Sequence, residues 1–281
     1  MVVKINDYIS SPVISVLPSD TLAYARNLML RHEISRLLVI DEGKLVGILT
    51  SSDLLKALSV PEFSNVSWDK ILVRDVMSKN VITIKINSSI SDAAALMKKY
   101  MIGSLAVIDN NGDVVGLITR TDLIKAYADN YTNNYTVKDY MDKNPPTISP
   151  FHPITSVFDK IEEKPYYKVI IVDSGKPVGI ITKKDIIFLR KDVFSRQEKY
   201  IKRDELLEKG RTGGVRYYIV PLASDIMSTN LVTVYPDEKL PEAAKVMIKN
   251  KIGSLVVISE SNGLLLGLLT KNEIIDAISK L

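Results

Sequence analysis

The chain contains no cysteine, which excludes disulfides, zinc–thiolate sites and cysteine nucleophiles. It contains two histidines, His32 and His152, too few for a histidine-based metal site and poor material for a catalytic triad. No window approaches the ~18 consecutive apolar residues of a membrane span. The opening residues, MVVKINDYISSPV, lack the basic and apolar stretches of a secretion signal. These absences predict a cytoplasmic protein with no membrane contact, no metal and no catalytic residues. An excess of one charge is also missing from most of the chain. Residues 1–130 hold 14 basic and 14 acidic side chains, and the net charge of +4 falls in the second half, where residues 190–218 hold nine basic and five acidic ones. With 281 residues, 46% of them hydrophobic and 25% charged, the composition is that of an ordinary globular protein of about two domains.

What is present is a repeat. GILTSSDLL at 47–55 returns as GLITRTDLI at 116–124, GIITKKDII at 179–187 and GLLTKNEII at 267–275. Each copy closes a unit that opens on an aspartate: DYIS from Asp7, DVMS from Asp75, DYMD from Asp139 and DIMS from Asp225. From that aspartate to the threonine of the nonamer the spacing is 43, 44, 43 and 45 residues. Such regularity marks an internal repeat, the feature that most constrains a fold.

Within each unit a short β-branched segment comes first (PVISV, VITI, PTIS, LVTV). A helical pattern follows, as in SSISDAAALMKKYMI, where Ile90, Ala93, Ala94 and Met97 share one face. Pro241 is tolerable in the fourth unit only near the first helical turn. In the third, Pro150 and Pro153 suit a helix start and Pro165 its end. Two apolar strands joined by a glycine-containing turn read as a hairpin, and a last helix begins at the threonine. The unit is β-α-β-β-α. One unit of about 55 residues buries too little surface to stand well alone, so pairing is expected. The predicted division is repeat 1 at 1–60, repeat 2 at 72–130, repeat 3 at 137–190, a basic insertion or linker at 191–221 and repeat 4 at 222–281. The modules are 1–130 and 131–281, divided near the polar tract YTNNYT.

With G-h-h-T-x-x-D (h, apolar) behind a helix and a hairpin four times in register, the chain resembles proteins built from cystathionine-β-synthase (CBS) domains. The resemblance implies an α/β (α+β) fold of four CBS repeats paired into two pseudo-twofold Bateman modules. It implies clefts that bind adenine nucleotides (AMP, ADP or ATP), sometimes ligands of the S-adenosylmethionine type. It also implies a regulatory role. In layout, though not beyond it, the gamma subunit of the AMP-activated kinase is similar, with four repeats.

The nonamer has two readings. T-x-x-D before an apolar helix is a capping box, stabilising by about 1 kcal/mol with no ligand. The same helix N-terminus suits a phosphate, and a first-turn aspartate can accept both hydroxyls of a ribose. Glu273 separates the two, since a cap accepts glutamate readily while a clamp is displaced by the extra methylene. Ribose binding is therefore expected at Asp53, Asp122 and Asp185, with Thr270 and Glu273 set apart. The expected phosphate-binding set is Thr50, Ser51 and Ser52 in repeat 1, Thr119 and Arg120 in repeat 2, and Thr182, Lys183 and Lys184 in repeat 3, with Arg36 reaching across a cleft. By the resemblance, the base lies between the first strand and the turn entering the second. The strand positions are Ile14 and Ser15, Ile82 and Thr83, Ile148, and Val232 and Thr233. The turn positions are Ser35 with Arg36, Gly103 with Ser104, and Gly253 with Ser254. Tyr167 and Lys168 depart from the Gly-Ser pattern; Tyr167 can stack on a base or fill the pocket.

Three functional readings follow. The first is a non-catalytic sensor that binds an adenine nucleotide and signals to a protein partner. The second is a nucleic-acid-associated regulator using the basic 190–218 segment; interleaved acidic residues and scarce aromatics there favour a solvated helix and loop instead. The third is a ligand-free scaffold in which T-x-x-D only caps. Pairing within one chain and pairing in a homodimer both remain open.

Overall fold

The structure, a computed structural model, describes residues 2–64, 66–132, 134–163, 168–182, 185 and 221–281. The four units are present in the predicted order. Repeat 1 comprises β1 (Ser15–Val16), α1 (Leu22–Arg31), β2 (Arg36–Asp41), β3 (Lys44–Thr50) and α2 (Ser51–Ser59). Repeat 2 comprises β4 (Thr83–Lys85), α3 (Ile90–Lys99), β5 (Ser104–Ile108), β6 (Val114–Thr119) and α4 (Arg120–Asn130). In repeat 3 the described elements are β7 (Thr147–Ile148), α5 (Ile154–Glu163), β8 (Lys168–Asp173) and β9 (Lys176–Thr182). Repeat 4 comprises β10 (Thr233–Val234), α6 (Leu240–Lys249), β11 (Ser254–Ile258), β12 (Leu265–Thr270) and α7 (Lys271–Ile278).

Each repeat forms its own three-stranded sheet, with the first strand parallel to the second and the second antiparallel to the third. The prolines sit where their chemistry requires: α5 begins just after Pro153, and Pro241 is the second residue of α6, where a missing N–H costs nothing. Pro165 lies outside the described residues. In the β2–β3 turn, Glu42 and Gly43 have φ of 47° and 78°, the left-handed pair of a tight hairpin, which explains a glycine in that turn.

The middle strands are buried on both faces. Leu37, Leu38 and Val39, and likewise Val169, Ile170 and Ile171, have no exposed surface. The burial pattern resolves this by alternation. Val169 and Ile171 pack with Ile148 and Val157, on the helix side of their sheet, whereas Ile170 packs with Val256 and Leu268 of repeat 4. Sheet meets sheet between repeats 3 and 4, and this is why the middle strands read as unbroken apolar runs.

The repeats are also cross-stitched. The residue ending each opening motif pairs with the last strand of the partner repeat. Ser10 pairs with Leu117 and Ser78 with Ile48; Asp142 pairs with Leu268 and Ser228 with Ile180. Each pair exchanges two backbone hydrogen bonds of 2.9–3.1 Å. The exchange is reciprocal, as a pseudo-twofold axis requires. It also accounts for the glycine of the nonamer. A Cβ on Gly47 would lie 2.5 Å from Met77 Sδ, and one on Gly267 would lie 2.6 Å from the Asp142 carbonyl oxygen. Only glycine admits the partner's crossing segment.

By contact density the chain forms two compact units, and they do not follow the sequence division at residue 130. One holds residues 1–140, 239–253 and 271–281; the other holds 141–238 and 254–270. Within the first, α6 packs on α4, and α7 packs on α3 and α4. Both helices of repeat 4 are thus built onto those of repeat 2 within one chain.

Candidate functional site

Two of the nonamer threonines, Thr50 and Thr119, are N-caps. Thr50 and Thr119 accept hydrogen bonds from the backbone N–H of Asp53 and Asp122, and the aspartates reciprocate, completing capping boxes. Asp53 Oδ2 accepts from Thr50 N at 2.8 Å and Thr50 Oγ1 at 2.6 Å. Asp122 Oδ2 accepts from Thr119 N at 2.8 Å and Thr119 Oγ1 at 2.7 Å. Asp185 Oδ2 accepts from Thr182 N and Oγ1, both at 2.7 Å. In all three, both bonds end on the same oxygen, so the cap uses one half of the carboxylate. The aspartates opening the later units are caps as well: Asp75, Asp139 and Asp225 accept from the backbone N–H three residues earlier.

In repeats 1 and 2 the first helical N–H also ties the nonamer to the turn entering the second strand. Ser51 N donates to the Ser35 carbonyl at 2.9 Å, and Arg120 N donates to that of Gly103 at 3.2 Å. Gly103 therefore sits against the start of α4. Its carbonyl accepts a second donor, the guanidinium of Arg36, which arrives from β2 of repeat 1. A Cβ at residue 103 would lie 3.1 Å from Arg36 Nη1, so the glycine leaves room for that guanidinium.

Charges from three repeats converge here. Arg120 Nη2 donates to the Ile102 carbonyl at 2.9 Å, while its Nε is buried with no hydrogen-bond partner. Lys271, the first residue of α7, donates from Nζ to Thr121 Oγ1 at 2.6 Å, between Arg120 and Asp122. Burial lowers the Arg36 guanidinium to about 10; Arg120 pushes the same way and Asp122 opposes. Burial likewise lowers Arg120, with Glu273 opposing. Burial raises the Asp122 carboxyl above its ordinary value, against the Thr119 hydrogen bonds and the charges of Arg36 and Lys271. The cluster holds three cations, Arg36, Arg120 and Lys271, and two carboxylates, Asp122 and Glu273. Its net positive charge stands at a helix N-terminus, and the arrangement suits an anion.

The structure thus brings Arg36, Gly103, Thr119, Arg120 and Asp122 into one place. Ser104 is buried beside them at the start of β5. Ile14 and Ile82, both half-buried, directly precede the exposed Ser15 and Thr83 that begin β1 and β4; Ile148 is buried at the end of β7. Val232 directly precedes Thr233, which starts β10, Ser254 starts β11 with Gly253 just before it, and Lys168 starts β8. Around Asp53, Ser51 and Ser52 supply hydroxyls but no charge. Tyr167, Lys183, Lys184 and residues 190–218 lie outside the described residues. Thr270 and Glu273 are buried, at 3% and 9% exposure, and Lys271 and Glu273 join the surroundings of repeat 2. Sequence reasoning treated repeat 4 as a separate, weaker site and missed this; the packing of α7 on α4 leaves no signature within the nonamer.

Among the described residues no group of three His, Cys, Asp or Glu side chains could hold a metal ion, and no helix is long and apolar enough to cross a membrane.

The CBS domain profile matches residues 5–60, 73–129, 137–192 and 223–280. The uncharacterised protein MJ1225 of Methanocaldococcus jannaschii is 26% identical over 275 residues, 94% of each chain. The crystal structure of MJ1225, described as a candidate archaeal homolog of g-AMPK, superposes with a TM-score of 0.75 at 25% identity, covering 98% of this chain and 99% of that one. An uncharacterised conserved protein of Pyrococcus horikoshii shares the fold, with a TM-score of 0.68 at 19% identity and coverage of 98% and 99%. An inosine-5'-monophosphate dehydrogenase of Korarchaeum cryptofilum is 35% identical over 120 residues, 43% of this chain but only 23% of the enzyme.

Proposed function

The chain belongs to the CBS domain family, and from that premise we propose that it is a non-catalytic, cytoplasmic regulatory sensor that binds AMP, ADP or ATP and passes its ligand state to a protein partner. The observation that carries this reading is the cluster around Asp122. The Thr119 cap occupies Oδ2 of that carboxylate and leaves Oδ1 for ribose hydroxyls. Arg36, Arg120 and Lys271 stand where the phosphates would extend from the ribose, and the Arg120 Nε has a donor to offer. Gly103 and Ser104, with Ile14 and Ser15 of the partner repeat, hold the base. A ligand so placed touches groups from repeats 1, 2 and 4 and biases their packing, as a regulatory ligand must. MJ1225, matched over nearly its whole length, is itself described as a candidate archaeal homolog of g-AMPK, which supports the reading.

The test is calorimetric titration of nucleotide-free protein with AMP, ADP and ATP, beside Asp122→Ala. Binding that weakens by about tenfold or more in the variant, the scale of one good charged hydrogen bond, supports the clamp. A second reading has its own observation: the capping boxes at Thr50 and Thr119 are complete without any ligand. If they are caps alone, Asp122→Ala lowers the melting temperature by about 2–4 °C, and no adenine nucleotide gives heat or a thermal shift with the unaltered protein. That outcome removes the sensor reading in favour of a scaffold.

A further inference from the structure

We propose that the surface around Met101 docks an acidic segment of a partner protein: Met101 and Tyr100 receive an apolar side chain of that segment, and a rim of lysines meets its carboxylates. This surface goes beyond the nucleotide reading, and its role does not depend on nucleotide binding.

The backbone at the end of α3 is the first observation. Met101 N donates to the Lys98 carbonyl at 3.2 Å and Ile102 N to that of Met97 at 3.0 Å, the paired bonds of a Schellman motif. The same bonds end α1 and α6. The left-handed position of the motif falls on Glu33, Met101 and Lys251, with φ of 54°, 53° and 52°. Glycine and asparagine take this conformation at least cost. Repeats 1 and 4 place a charged side chain there, which solvent accepts. Repeat 2 places a methionine that is 86% exposed, next to a tyrosine that is 44% exposed. Folding gains neither burial nor backbone ease from Met101. A docked partner uses its apolar surface and its adaptable thioether chain.

The surrounding charge is the second observation. Helix α7 packs on α3 and α6 packs on α4. Lys271, which opens α7, bonds to Thr121 in the first turn of α4, and Arg120 N donates to the Gly103 carbonyl just beyond α3. Ser254 pairs with Thr270, which sets the C-terminal end of α6 beside the start of α7. Four helix ends thus gather. Lys99, Lys249 and Lys251 are exposed there, and Lys99 Nζ lies 5.3 Å from the Tyr100 ring centroid. Residues 95–104, 119–121, 245–254 and 271–275 include one carboxylate, Glu273, and it is buried.

That charge selects the occupant. A second copy meeting this surface with its own would set lysines against lysines. The chain's 190–218 segment is itself basic. A nucleic acid needs stacking platforms, and Met101 is not one. An acidic segment with an apolar anchor matches both the rim and the centre.

The probe is a short synthetic peptide with one leucine between runs of glutamate. It is titrated into the nucleotide-free full chain, isotope-labelled at its methionine methyls and followed by NMR; Met101→Asn assigns the Met101 resonance. The expected result is a saturable shift of that resonance, weakened by added salt. Replacing the peptide's leucine by serine should weaken binding about tenfold, the scale of one leucine partly buried. Met101→Asn, read by calorimetry, should also bind the peptide about tenfold more weakly. Its melting temperature should hold or rise by about 2 °C, because asparagine enters the left-handed region more easily, so a misfolded chain cannot explain the loss. Lys99→Gln combined with Lys251→Gln should weaken binding and flatten its salt dependence. No shift at millimolar peptide overturns the proposal, as does equal affinity in Met101→Asn or equal binding of a peptide with lysine in place of glutamate. Tighter binding of an oligothymidylate overturns it in favour of nucleic acid. Broadening of the Met101 resonance with protein concentration, without peptide, overturns it in favour of a second copy. Adenine nucleotides should bind Met101→Asn as they bind the unaltered protein, so failure of either reading leaves the other standing.

Discussion

The nonamers of repeats 2 and 4 have the same pattern and opposite positions in the economy of the fold. In repeat 2, Asp122 is half-buried, capped on one oxygen, and ringed by cations from its own repeat, from repeat 1 and from repeat 4. In repeat 4, Thr270 and Glu273 are buried, Lys271 donates to Thr121 of repeat 2, and the charge of Glu273 is felt at Arg120. The repeats supply equivalent helix starts at Thr50, Thr119 and Thr270. Packing of α7 against α3 and α4 then decided that one of them would be a contributor and another a recipient. The lesson is that a local motif determines a helix cap reliably, and that only its tertiary neighbours determine whether it can also bind.

The largest expected effect tests the backbone crossing that both nonamers share. At Gly267 an added Cβ would meet the Asp142 carbonyl oxygen at 2.6 Å, and backbone cannot easily yield. At Gly116 the nearest atoms would be Ile9 Cδ1 at 3.1 Å and the Ser10 carbonyl at 3.2 Å. Gly267→Ala should destabilise by about 2–3 kcal/mol and Gly116→Ala by about 1 kcal/mol or less. Chemical denaturation of the two variants measures this. Equal losses would mean that the crossing segments adjust alike, and the comparison between the two repeats would lose its steric half.

A smaller effect compares two clamps. Asp53 has the same cap as Asp122 but only Ser51 and Ser52 in its first turn. Asp53→Ala should reduce nucleotide affinity less than Asp122→Ala, by about tenfold less, because neutral hydroxyls bind phosphate more weakly than charged donors. Titration of the two variants in parallel decides it; a larger loss in Asp53→Ala would move the principal site to repeat 1.

The unit β-α-β-β-α and its four copies are legible in the residues because period and turn chemistry are local. Ile90, Ala93, Ala94 and Met97 announce α3, and all four are buried. The threonine caps are legible for the same reason. The glycine of G-h-h-T recurs visibly, but its cause is the opening segment of another repeat, about 30 residues away or more, and no local rule reports it. Arg36 of repeat 1 reaches the Gly103 carbonyl of repeat 2, a contact that no local pattern reports. Nothing in the nonamer of repeat 4 links Lys271 to Thr121 of repeat 2, because sequence adjacency reports only neighbours along the chain. Helix α7 carries apolar residues on the face that packs, but nothing in that face names α4 as its partner.

The smallest effect is one of sign, and it separates the two repeats by pH. Asp276 lies on α7 and joins Lys98 of α3, and Lys280 at 2.6 Å. Burial alone would raise its carboxyl, but the hydrogen bonds from Lys280 and Lys98 outweigh burial and hold it below the ordinary 3.8. A carboxyl depressed in the folded state contributes stability that is present above 3.8 and lost as pH falls through the folded value. Asp122 is the reverse. Its carboxyl is raised by burial, so its penalty is absent below 3.8 and grows as pH rises from there to the raised folded value. Thermal melts between pH 3 and pH 7 should therefore show Asp276→Asn losing its cost towards acid. With the partners largely exposed to solvent, that cost stays within about 1 kcal/mol at neutral pH. Asp122→Asn should be relatively most favourable at neutral pH, where it relieves a buried charge, and least so in acid. Parallel pH curves for the two variants would mean that the surroundings of α4 and α7 do not differ electrostatically, and the division of labour between repeats 2 and 4 would rest on sterics alone.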